Sequence, residues 1–95
     1  MIILYNDMYP NMVSSILTSS NLKVTHEGGS PSSRDNHRQR IKINVNDISD
    51  YIDVPNDFSL EKFMKYALAE IHYADTDTSP EYISVHTFVK RCLGR

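Results

Sequence analysis

Phe58-Ser59-Leu60-Glu61-Lys62-Phe63-Met64-Lys65-Tyr66-Ala67-Leu68-Ala69-Glu70-Ile71-His72-Tyr73-Ala74 carries the clearest periodic signal in the chain, and the fold assignment rests on it. Leu60, Phe63, Met64, Ala67, Leu68 and Ile71 recur at i, i+3, i+4, i+7, i+8 and i+11, the spacing of an amphipathic helix laid on a core. Ser59 stands where an N-cap belongs, and Phe58 and Phe63 occupy the two positions of a hydrophobic staple. Tyr66 and Tyr73 fall off the apolar stripe, on a flank they share with Lys62 and Ala69.

Immediately upstream, residues 46–54 read two ways. Ile48, Tyr51 and Ile52 fit i, i+3, i+4 of a short helix that stops before Pro55. As a strand, Ile48, Asp50, Ile52 and Val54 would share a face, which puts a carboxylate among apolar side chains. The helical reading avoids that and is preferred. Ile41, Ile43 and Val45 alternate with Lys42 and Asn44, and Leu22, Val24 and His26 alternate with Lys23 and Thr25, the period of half-buried strands. The polar run Gly28 to His37 between them predicts an antiparallel hairpin with a flexible loop at 27–38.

Ile2 to Tyr5 read as a buried strand. Asp7 and Pro10 can start a helix carrying Met12, Val13, Ile16 and Leu17, with Asn21 as a left-handed C-cap. The serines and threonines of that segment are weak helix formers. Downstream, Ser79-Pro80-Glu81 reads as a helix start, followed by the apolar face Tyr82, Val85, Phe88, Val89, Cys92 and Leu93. Lys90, Arg91 and Arg95 complement its C-terminal dipole. The order β-α-β-β-(short helix)-α-α makes one small α+β domain over residues 1–95, a three-stranded mixed sheet with helices packed on one face. The first two strands would then form a right-handed parallel crossover.

Composition narrows the function classes. The chain is 40% hydrophobic and 23% charged, which reads as globular. Its single cysteine, Cys92, excludes an internal disulfide framework and fits a reducing compartment. The apolar N-terminus is too short for a signal peptide or a span, so a cytoplasmic protein without a membrane partner is expected. Scarce Ala and Gly against abundant Asn, Ile, Lys and Tyr match the bias of AT-rich bacterial or phage genomes.

The net charge of −2 hides a polarised chain. Asp47, Asp50, Asp53, Asp57 and Glu61 recur every three or four residues, and on a helix part of this run would share one face. Such a ladder approximates nucleic-acid phosphates and would suit docking on a nucleic-acid enzyme. Against it, these acids are ordinary solvated residues and helix caps. Arg34, His37, Arg38, Arg40 and Lys42, with Lys23 across the hairpin, are a candidate phosphate-contacting arm. No aromatic residue lies between Leu22 and Asp50 to stack a base on. The Lys62, Tyr66, Ala69, Tyr73 ridge is interface material unless the last helix or a second copy covers it. His72 and Asp75, with His86 on the next helix, are a conceivable two-helix metal site, but no recognised zinc spacing is present. No catalytic constellation stands out, so no cofactor and no metal are expected. The first expectation is a non-enzymatic interaction protein (an inhibitor, adaptor or antitoxin-like regulator) that docks on a larger protein. The alternative is a small DNA- or RNA-binding module using residues 34–42.

Overall fold

The computed structural model describes residues 1–7, 13–29, 38–76 and 79–94, with Gly28, Gly29 and Arg38 described by their backbone alone. The element order is β1 (Ile2–Tyr5), β2 (Ser14–Leu17), β3 (Leu22–Gly29), β4 (Arg38–Val45), β5 (Ile48–Pro55), α1 (Leu60–Asp75), β6 (Glu81–Ser84) and α2 (Val85–Leu93). This is a small α+β domain. In place of the single three-stranded sheet expected, its strands form two three-stranded sheets, ordered β2-β1-β6 and β3-β4-β5. Inward residues of both sheets, Ile2, Leu4, Leu17, Ile41, Ile43, Ile48 and Val54, share one core with Phe63, Ala67 and Ile71 of α1 and Phe88 and Val89 of α2.

The central helix forms as its spacing dictates. The Ser59 hydroxyl accepts from the Lys62 amide at 3.3 Å, and the Phe58 and Phe63 rings lie 5.6 Å apart, closing the staple. The 22–29 and 38–45 segments pair antiparallel, with Leu22 opposite Val45 and Val24 opposite Ile43. The loop expected at 27–38 falls mostly outside the described residues, as do Arg34 and His37.

Several sequence expectations are corrected. Residues 48–55 are a strand, not helical turns. Asn46, at φ 54, adopts the left-handed conformation that a tight two-residue hairpin turn needs, and Val45 then faces Ile48. Strand pairing with β4 along its whole length outweighs the cost of turning Asp50 inward. The helix expected after Pro10 is replaced in its described part by β2, antiparallel to β1, with Ile3 opposite Ile16. Ser14, Ser15 and Thr18 give a helix little support there, and the edge of β1 offers hydrogen bonds instead. Asn21 caps the following turn with its side chain rather than by a left-handed backbone: its Oδ1 accepts from the Thr18 amide at 2.8 Å. The last helix starts at Ser84, not Ser79, because residues 81–84 pair with β1. The Glu81 amide donates to the Met1 carbonyl at 2.8 Å, and the Ser84 hydroxyl accepts from the Thr87 amide at 3.1 Å to cap α2. The parallel partner of β1 is therefore β6, and the expected crossover between the first two strands does not form.

Candidate functional site

Strand alternation puts Ile48, Asp50, Ile52 and Val54 on the inner face of β5, with Asp50 opposite Ile43. Asp50 thus points toward the junction of the two sheets. Asp7, just past the end of β1, and His86, in the first turn of α2, reach the same place. Among the described residues, the His, Cys, Asp and Glu side chains that converge are these three, with one donor atom from each lying within 4.8 Å of the others. Asp7 Oδ2 accepts from the His86 backbone amide at 3.3 Å, so the carboxylate meets the positive end of α2. The same oxygen is 3.8 Å from His86 Nε2. One oxygen of Asp50, Oδ2, is enclosed and has no hydrogen-bond partner. Burial holds the Asp50 carboxyl above the ordinary carboxylate range; His86 pulls it back and Asp7 pushes it further up. Two carboxylates and an imidazole facing one point can hold a cation or exchange a proton.

Sequence reading missed this group because its members come from three separate elements. It joined His86 to His72 and Asp75 instead; the structure joins it to Asp7 and Asp50. The one available signal was Asp50 itself, the residue that spoils the apolar alternation of β5.

The acidic run does not form one ladder. Asp47 sits in the hairpin turn and Asp50 faces inward. Asp53 faces outward and pairs with Arg40 at 3.3 Å, while Asp57 and Glu61 flank the start of α1. Of the basic arm, Arg40 and Lys42 lie on the outer face of the β3-β4-β5 sheet. The register places Lys42 between Thr25 and Tyr51. Tyr51, 53% exposed, has the Arg40 guanidinium carbon 5.8 Å and the Lys42 ammonium 5.7 Å from its ring centroid. The aromatic that the linear sequence lacked beside the basic residues is supplied by the neighbouring strand.

On α1, Tyr66 is half-buried. It lines a groove of about 380 Å³ with Phe58, Lys62, Phe63, Cys92 and Leu93, so the end of α2 reaches it. Tyr73 is 76% exposed, and Lys62 and Ala69 are exposed as well. The last helix covers only one end of the ridge.

A further surface had no counterpart in the linear reading. On the outer face of the β2-β1-β6 sheet, Ile16, Ile3 and Tyr82 stand in one register row, with Ser14 and Tyr5 in the next, where β6 ends in the buried α2 cap Ser84. Ile16 is 49% and Tyr82 64% exposed. None of the six is charged. No family model, characterised protein or solved structure shows a significant match to this chain. No helix among the described residues is long and apolar enough to cross a membrane.

Proposed function

We propose that the chain is a non-enzymatic binding protein of a reducing, cytoplasmic compartment that docks on a larger protein through the outer face of its β2-β1-β6 sheet. The observation that carries this reading is the uncharged Ile16-Ile3-Tyr82 row, exposed at Ile16 and Tyr82 with Ile3 half-buried between them, in a chain that is 23% charged. Depletion of charge around exposed aromatic and branched aliphatic side chains marks the centre of protein interfaces. The described residues of these two rows offer no cation to a phosphate-rich partner. The inhibitor, adaptor or antitoxin-like role expected from the sequence needs such a surface and no catalytic residue. The acidic contact with a nucleic-acid enzyme draws less support, since its carboxylates are dispersed over several surfaces. Affinity capture with the wild-type chain, set beside an Ile16→Asp/Tyr82→Asp double variant of matching circular dichroism, tests the reading. A partner retained by the wild type and lost by the variant is expected; identical captured sets overturn it. Analytical ultracentrifugation of both proteins shows whether the partner is a second copy.

A second reading has its own observation. Tyr51 flanked by Arg40 and Lys42, with Lys23 on the next strand but one, is a stacking ring beside cations on an open sheet, suited to single-stranded nucleic acid. Glu27 and Asp53 share that face and reduce its net charge. Fluorescence anisotropy with labelled DNA and RNA oligonucleotides should show binding that weakens steeply with salt and is lost in Tyr51→Ala and in Arg40→Ala/Lys42→Ala. No change in anisotropy at low salt removes this reading.

A further inference from the structure

The geometry points to a binding site for a divalent transition-metal ion of the zinc or manganese class, formed by Asp7, Asp50 and His86. This inference is independent of either docking surface. The three donors come from the end of β1, the inner face of β5 and the first turn of α2, so the fold itself gathers them. Their donor atoms lie within 4.8 Å of one another, and Asp7 Oδ2 is 3.8 Å from His86 Nε2. Donors on one tetrahedral ion with bonds of 2.0–2.1 Å stand about 3.3 Å apart, so a small inward movement closes the set.

The donor chemistry selects the ion. Two carboxylate oxygens and one imidazole nitrogen suit zinc or manganese, whereas calcium and magnesium favour oxygen alone and a soft ion would call for thiolate. Three protein ligands leave at least one coordination position to solvent, the arrangement of an open site. Access is available, since the side chains of His86 and Asp7 are 46% and 34% exposed.

A second observation points the same way. Asp50 Oδ2 is enclosed without a hydrogen-bond donor, on a strand face otherwise made of Ile48, Ile52 and Val54. A buried carboxylate oxygen needs a compensating positive group. The nearby Asp7 carboxylate adds repulsion, which a shared cation would turn into attraction. Asp7 is oriented for this role, because the His86 amide fixes one of its oxygens at 3.3 Å.

Isothermal titration of the metal-free chain with Zn²⁺ and Mn²⁺ should give one ion per chain and a rise in Tm, with Mg²⁺ far weaker. Asp50→Asn keeps the shape and removes a charge, so it should fold at least as well without metal yet bind about tenfold or more weakly and lose the Tm response. His86→Ala, at an exposed position, gives the same loss and carries the test if Asp50→Asn folds poorly. His72→Ala, on the exposed flank of α1, should leave the titration unchanged. Failure to bind either ion at submillimolar concentration, or binding that survives both Asp50→Asn and His86→Ala, overturns the site.

Discussion

The residue Cys92 is 1% exposed, and burial pushes its thiol up from an ordinary value near 9 to about 11. The native fold therefore holds the neutral thiol and disfavours the thiolate that reacts. A disulfide reagent should label Cys92 slowly in native protein at neutral pH and rapidly once the chain is unfolded; equal rates would show an accessible thiol. The sign for stability follows. Below pH 9 the thiol is neutral in both states and contributes in full. As pH rises from about 9 toward 11 the unfolded chain ionises first, and this contribution is lost. Denaturant midpoints measured across that window should fall for the wild type more than for Cys92→Ala, which has no thiol to titrate. Burial pushes the Asp50 carboxyl in the same direction, and there it is strand pairing that keeps an ionisable residue turned inward.

At the scale of elements, the β4–β5 turn decides whether residues 48–55 pair at all. Asn46, at φ 54, tolerates the left-handed conformation better than a β-branched residue can. Its side-chain Nδ2 also donates to the Ser15 hydroxyl, linking the hairpin turn to β2. Asn46→Gly and Asn46→Val both lose that bond, so the difference between them isolates the backbone. Asn46→Val should be less stable than Asn46→Gly by about 1–2 kcal/mol in urea denaturation; equal midpoints would mean the turn has relaxed. The elements that could be read from sequence have long periodic patterns, α1 through Phe63, Ala67 and Ile71 and the β3–β4 hairpin through Val24 and Ile43, or, like β1, an unbroken apolar run. The missed ones are short or break a local rule. Four residues of β2 or β6 carry too little periodicity to register, and the Ser79-Pro80-Glu81 helix signal is overridden by pairing with β1. Asp50 concealed β5, and with it the candidate site. No window of sequence could have brought Asp7 or His86 to it, since only the junction of the two sheets does.

For the whole molecule, a single core joining both sheets to both helices predicts one cooperative transition. Phe63→Ala removes a side chain that is 2% exposed and should cost about 3–5 kcal/mol, with far-UV circular dichroism and tyrosine fluorescence still moving together. Separate transitions would show the sheets to be independent units. Pairing order also sets a schedule for folding. β1 lies between β2 and β6, and its Met1 ammonium donates to the Ala74 carbonyl at 2.7 Å. During synthesis β1 and β2 can meet early, but the other side of β1 waits for everything through residue 84 to leave the ribosome. Until then an Ile-Ile-Leu strand has one unpaired edge, and loop closure across most of the chain separates it from completion. Until β6 is available that edge of β1 is a template for intermolecular pairing, and slowing translation between α1 and β6 should lengthen the exposure and raise the aggregated fraction.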